Sequence, residues 1–186
     1  KIPTPENIEL KIPDLYNSRY SYGGGKICCE LMLRFMCEKE FEKSIIIRPH
    51  NVYGEDMGYE HIIPEISKKI LSLSENQNLE IQGSGNETRS FIYIDDFLDA
   101  FSKVIKKGKH LEIYNIGTNE EIKILNVIKK ILKIFKKNNK ITFGKIKKGS
   151  PTRRQPKINK IKLLGFKQRI KFDKGLNKTV EWYKKN

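Results

Sequence analysis

Long apolar runs are missing from this 186-residue chain. No stretch approaches the ~18 uninterrupted apolar residues that a bilayer span requires, and no charged segment followed by an apolar one opens the sequence, so neither a membrane span nor a secretory leader is expected. Cysteine is scarce as well. Cys28, Cys29 and Cys37 are odd in number, two are adjacent and all fall on one candidate helix, which argues against a disulfide framework and suits a reducing, cytoplasmic setting. His50, His61 and His110 lack the close spacing of a zinc set, and no metal site is expected.

Acidic residues are absent from Lys129 to Phe172, where seventeen Lys and Arg stand, and the whole chain carries a formal net charge of +15. Such an excess is the footprint of a protein that meets nucleic acid, an anionic membrane or phosphorylated small molecules. Yet no zinc finger, RNP-like aromatic motif or basic heptad array accompanies it. Lysine, isoleucine and asparagine abound along the entire chain, so compositional bias alone can generate much of the charge. No nucleic-acid partner is expected, although a noncatalytic polyanion-binding module remains the alternative from a different functional class.

What is present is an alternation of strand and helix signals. The β-branched run "SIIIRPHNVYG" (44–54) reads as a buried strand and a loop, and "EHIIPEISKKILSLS" (60–74) as a helix with Pro64 in its first turn. "LEIQGSG" and "SFIYI" read as strands, and Asp95 or Asp96 is placed to cap a helix bearing Phe97, Ala100, Phe101, Val104 and Ile105. "LEIYNIG" and "KITFGKI" are further strands, "IKILNVIKKILKIF" (122–135) is the clearest amphipathic helix, and "FDKGLNKTVEWYKK" closes the chain as a helix with Trp182 toward the core. This order predicts an α/β fold with helices flanking a sheet.

One stretch departs from ordinary helix design. In "RYSYGGGKICCELMLRFM" (19–36), Ile27, Leu31 and Phe35 recur at a helical step, but Gly23, Gly24 and Gly25 each forfeit roughly 1 kcal/mol of helix propensity relative to alanine. Residues four apart share a helix face, so Tyr22 and Lys26 project side by side across nearly bare backbone. A phenol with an ordinary pKa near 10 is easier to ionise beside an ammonium, and the pair can serve as a general base. The glycines leave room for a flat ring or a ribose. A phosphate loop is excluded, since it needs a glycine where Tyr20 stands and Ser or Thr where Ile27 stands.

A tyrosine and a lysine four apart are common helix neighbours, but these two do not stand alone. Glu30 follows Lys26 by four residues. Arg48-Pro49-His50-Asn51-Val52-Tyr53-Gly54 ends the next strand, and Gly83, Gly85, Arg89, Phe91, Tyr93 and Asp96 form a spaced run, followed by "YNIGT" and by "LLGF…GLNKTVEWY". In these ordered motifs the chain resembles the extended short-chain dehydrogenase/reductase family, in particular its NAD-dependent nucleotide-sugar epimerases and dehydratases, over essentially its whole length.

The resemblance implies an incomplete Rossmann-like parallel sheet with a small C-terminal α/β substrate-binding subdomain. Residues 1–58 would complete the NAD-binding domain and 59–186 would form mainly the nucleotide-sugar-binding part, with 89–118 partly returning to the sheet. It implies that Tyr22 is the catalytic base and acid, that Lys26 lowers its pKa and holds the nicotinamide ribose, and that Pro49 borders the NAD. Asn51 would contact the sugar or diphosphate, Ile81 and Gly83 would lie near the base, and Arg89 and Arg154 would clamp the diphosphate. Gly25 stands where the family often has serine. A glycine-rich NAD turn and the upstream Ser or Thr fall outside the chain, so it reads as roughly the C-terminal three-fifths of a family member, inactive alone, with a strand expected before Tyr22. Glu30 and the "RPHNVYG" form lean toward an epimerase acting on a UDP-sugar, with a 4,6-dehydratase as the alternative. A homodimer through the tyrosine helix is the expected assembly.

Overall fold

The three isoleucines after Ser44 are strand formers that need cover on both faces, and the fold supplies it. The computed structural model describes residues 1–145 and 149–186; Ile146, inside the expected "KITFGKI" strand, lies outside that range. Helix α1 (Arg19–Met36) leads into β1 (Ile46–Pro49), β2 (Val52–Tyr53), α2 (Ile62–Ser72) and β3 (Leu79–Ile81). Then come β4 (Thr88–Ser90), β5 (Ile92–Tyr93), α3 (Ile94–Lys107), β6 (Ile113–Ile116) and β7 (Glu121–Lys123). The chain closes with α4 (Ile124–Ile134), β8 (Ile141–Phe143), β9 (Arg153–Arg154), α5 (Asn159–Leu163) and α6 (Phe172–Lys185).

Parallel pairing dominates. β1 runs beside β6, with Ile46 opposite Ile113 and Pro49 opposite Ile116, while β2 pairs with β5 and β3 with β8. The exception is β4, which lies between antiparallel β7 and parallel β9. Two apolar cores result. One gathers Ile63, Ile66 and Ile70 of α2, Val127, Ile128 and Ile131 of α4, and Leu176 and Val180 of α6, each set recurring at three or four residues so that one stripe faces inward. The other packs Ala100 and Val104 of α3 and Ile161 of α5 against Tyr114 and Ile116 of β6. No helix among the described residues is long and apolar enough to cross a membrane.

Several local expectations are revised. Neither Asp95 nor Asp96 caps α3, which begins at Ile94 with both carboxylates inside its first turn, where they favour the positive end of the helix dipole. Asp96, 1% exposed, instead accepts the backbone N–H groups of Arg169 at 3.1 Å and Ile170 at 2.9 Å, tying α3 to the loop before α6. The expected strand "SFIYI" divides at Phe91 into β4 and β5, and the start of the expected helix 122–135 is strand β7. On α6 it is Tyr183 that is buried, its hydroxyl donating to the Met57 carbonyl, and Trp182 is half-buried with its ring edge-on to Tyr183 at 4.8 Å. Among the described residues, 1–21 form no strand and contribute a parallel bridge between Thr4 and Pro156.

α1 itself contains no buried residue, and Leu31, Met32, Phe35 and Met36 are all more than half exposed.

Removing the Asp96 carboxylate strips a charged acceptor from two buried-side N–H donors. Asp96→Ala is expected to lower stability by about 3 kcal/mol, read as a reduced urea midpoint with an unchanged denaturant slope.

Candidate active site

The glycine triplet does not break α1. A Cβ on Gly23 or Gly25 would meet nothing within 4 Å, so this side of the helix stands open. Tyr22 and Lys26 share it, with the ammonium 5.3 Å from the phenol ring centre. Both line a groove of about 760 Å³ that continues to Pro49 at the end of β1, so the three residues expected to meet a cofactor border one space. What sets α1 at this height is an ion pair. Arg48 of β1 donates from Nε and Nη2 to the two carboxylate oxygens of Glu30, at 2.7 and 2.6 Å, in the forked geometry that suits guanidinium and carboxylate, and its Nη1 donates to the Glu6 carbonyl.

Beyond Pro49 the chain turns sharply. Asn51 takes a left-handed backbone with φ 42°, which asparagine tolerates better than most residues, and its Nδ2 donates to the Ser90 carbonyl at 2.8 Å. That bond draws the β1–β2 loop onto β4. Between Pro49 and Asn51, His50 is half-buried, with Nε2 3.3 Å from Asn115 Oδ1. Because Asn115 Nδ2 donates to the Thr4 and Lys157 carbonyls, its oxygen is the free acceptor and Nε2 of His50 carries the proton. Burial holds the imidazole below its ordinary pKa; the Asn115 bond opposes this, and Arg154 and Arg48 reinforce it.

A second cavity, of about 320 Å³, opens beside Asn51 and is lined also by Gly83, Glu87, Arg89, Ser150 and Arg154. The register of β4 and β9 explains its charge. Thr88 lies opposite Arg153 and Arg89 opposite Arg154, so the two strands alternate together. On one face Arg153 forks onto Glu121 at 2.8 and 2.7 Å, and Thr88 donates to the same carboxylate. On the other face Arg89 and Arg154 stand side by side, and neither has a carboxylate within salt-bridge distance among the described residues. Burial lowers the pKa of Arg89 and the neighbouring Arg154 lowers it further, while the Glu87 carboxylate in the same cavity opposes both. This arrangement calls for an anion.

Gly83 borders the cavity at φ 94°, a conformation that glycine adopts without strain. The loop after it is held by Glu87, which accepts from the N–H and hydroxyl of Ser84. Burial alone would push the Glu87 carboxyl up, but the backbone N–H groups of Ser84, Glu87 and Gly85 hold it below the ordinary range. Ile81 is placed differently from its neighbours. Its side chain is 3% exposed in the core, and Gln82 and Gly83 line the cavity in its stead. Sequence reasoning passed over Glu87, visible as an acid three residues after Ser84, and β9, whose two residues carry no strand periodicity.

Among the described residues no cluster of His, Cys, Asp and Glu is arranged to hold a metal ion. Residues 2–117 match the NAD dependent epimerase/dehydratase family. The chain belongs to that family. It is 34% identical over 172 residues to dTDP-D-glucose 4,6-dehydratase from Homo sapiens, a match covering 89% of this chain and 48% of the relative. A UDP-glucose 4-epimerase from Thermotoga maritima, solved with UDP-glucose, superposes with a TM-score of 0.82 at 26% identity, covering 98% of this chain and 57% of that one. A dTDP-glucose 4,6-dehydratase from Bacillus anthracis, solved with NAD, gives 0.76 at 27% identity, covering 96% and 56%. The chain spans about half the length of the curated relatives it matches. Epimerases and dehydratases both stand among these members of the epimerase/dehydratase family, so membership leaves the individual reaction open.

The Glu121 carboxyl is held at about 2, first by its bond from Arg153 and then by Thr88, against an ordinary 4.5. A folded-state pKa below the unfolded one contributes stability that is complete above the unfolded value and is lost as pH falls toward the folded one. Melting temperature is therefore expected to drop between pH 4.5 and about 2, and Glu121→Gln to flatten that acid limb.

Proposed function

We propose that this chain carries the proton-transfer dyad and the nucleotide-sugar site of an NAD-dependent enzyme that begins by oxidising a nucleotide-linked hexose at C4. The observation that carries the reading is the pairing of Arg89 with Arg154 on one face of β4 and β9, two guanidinium groups without an ion-pair partner among the described residues, at a cavity that Asn51 also lines. A diphosphate supplies matching negative charge and oxygen acceptors for two planar forks. The open groove along Tyr22, Gly23, Lys26 and Pro49 fits a flat, extended cofactor, and the match to an NAD-dependent family supports NAD as its occupant. When bound there, NAD supplies the hydride acceptor.

In this reading the Tyr22 oxygen takes the proton of the C4 hydroxyl as that carbon is oxidised, and returns it when the ketone is reduced. Lys26, on the same face, stabilises the phenolate and holds the ribose. Asn51 orients the sugar, and Gly83 lets the backbone approach the base. Residues 1–58 serve the cofactor and 59–186 mainly the nucleotide sugar. The pairing of β1 with β6 supports the return of 89–118 to the sheet. The exposed apolar residues of α1 support a homodimer through that helix.

Epimerisation of a UDP-sugar, in which C4 is re-reduced from the opposite face, is the reading favoured by the sequence motifs. A second reading, 4,6-dehydration, is favoured by the 34% identity to dTDP-D-glucose 4,6-dehydratase. The products separate them, since an epimerase conserves the mass of the sugar and a dehydratase removes one water.

Calorimetric titration with UDP-glucose and dTDP-glucose is expected to give saturable binding, weakened by Arg89→Ala at least about tenfold, or ~1.4 kcal/mol. Tyr22→Phe is expected to leave the affinity within about twofold and, in the full-length protein, to abolish cofactor reduction. The absence of binding to either ligand would overturn the reading.

A further inference from the structure

Arg19 is the first residue of α1 and lies outside every motif that points to the family. Residues 19, 22 and 26 follow the three-then-four spacing that keeps side chains on one helix face, so Arg19 stands one turn ahead of Tyr22 in line with the Tyr22–Lys26 pair. That first turn is packed against the segment leading to Arg154. A Cβ on Gly149 would come within 3.0 Å of the Tyr20 hydroxyl and 3.4 Å of Asn17 Nδ2, and the neighbouring Ser150 lines the same cavity as Arg154. Arg19 has no carboxylate within salt-bridge distance among the described residues. Its charge also acts on the pair. Burial and Arg154 lower the pKa of Arg89, Glu87 raises it, and Arg19 lowers it further; for Arg154, Arg19 is the next cause after burial.

We propose that Arg19 is a third phosphate ligand, which takes the sugar-proximal phosphate of the diphosphate and so sets the distance from that phosphate to the hydroxyl presented to Tyr22. The proposal rests on the nucleotide-sugar reading above and extends it to a residue that the motifs leave unassigned. The helix itself provides the spacing. One turn is about 5.4 Å along the axis, comparable with the span of a pyranose ring from its anomeric oxygen to its C4 oxygen. A group on α1 that grips the phosphate one turn before Tyr22 therefore places C4, in preference to C2 or C3, at the tyrosine. Arg89 and Arg154, one strand apart on β4 and β9, are left to hold the nucleoside-proximal phosphate. Three guanidinium groups that repel one another while the site is empty gain a common partner when a diphosphate enters.

The test compares ligands with one and two phosphates. In calorimetric titrations, Arg19→Gln is expected to weaken UDP-glucose roughly tenfold or more while leaving UMP within about twofold. Arg19→Lys should recover part of the loss, because it restores the charge without the fork. Arg89→Ala should weaken both ligands. Equal losses for UMP and UDP-glucose in Arg19→Gln, or no loss for either, would overturn the assignment of Arg19 while leaving the nucleotide-sugar reading intact. If the unsubstituted protein binds neither ligand, the nucleotide-sugar reading fails and the assignment with it. Arg19 is exposed at a helix end, and an unchanged far-ultraviolet circular dichroism spectrum shows that the substituted chain is folded.

Discussion

The fork between Arg48 and Glu30 is the constraint on which the site geometry depends. α1 has no fully buried side chain, so directional bonds weigh heavily in where it lies. Glu30 and Arg48 are each 19% exposed, which removes much of the solvent screening that makes surface pairs weak. The same guanidinium holds the Glu6 carbonyl, and Glu6 in turn accepts the Asn115 backbone N–H of β6. One arginine thus fixes the tyrosine helix, the leading segment and the β1–β6 pair in a common frame. From the end of β1 the frame passes through Asn51 to Ser90, whose neighbour is Arg89. The Tyr22–Lys26 pair and the Arg89–Arg154 pair are related through a short series of directional bonds, not through a shared apolar core.

Positive charge is distributed in two different ways. Some C-terminal lysines serve structural contacts. Lys137 donates to the Ile70 carbonyl that ends α2, Lys130 pairs with Asp173, Lys160 with Glu112 and Lys184 with Glu181. Arg89 and Arg154 differ, because strand register assigns Glu121 to Arg153 on the opposite face and the one acid lining their cavity beside Arg89, Glu87, makes no ion pair with either among the described residues.

Helices with a clear apolar stripe were legible in the sequence almost to their ends, as α4 and α6 illustrate, because burial of one face both defines the pattern and stabilises the element. The alternation that predicts an α/β fold was equally plain. What escaped depended on neighbours distant in sequence. Asp96 precedes a helix in the manner of a cap, yet its partners are the N–H groups of Arg169 and Ile170, more than seventy residues away. Arg153 and Arg154 are chemically identical in sequence, and only pairing with β4 gives them opposite tasks. Ile81 was assigned with the residues around it, but strand alternation turns its side chain into the core and leaves Gln82 to face the cavity. Glu30 was read as a mark of the epimerase side, whereas its geometry makes it the partner of Arg48 and therefore a matter of helix placement.

The glycine triplet acquires its meaning from the same frame. Three glycines remove about 3 kcal/mol of helix propensity relative to alanine, and α1 has no buried stripe to offset that loss. A helix held by its own propensity or by packing would gain from alanine at these positions, where the Gly23 and Gly25 environments offer ample room for a methyl group. The stabilisation is located instead one turn after Lys26, at Glu30, downstream of the glycines and independent of them. That separation allows the surface between Tyr22 and Lys26 to stay bare backbone while the helix keeps its position. Space at the dyad and rigidity of the helix are supplied by different residues, and this is why the chain can carry an unfavourable sequence at the one place where a flat ligand would lie.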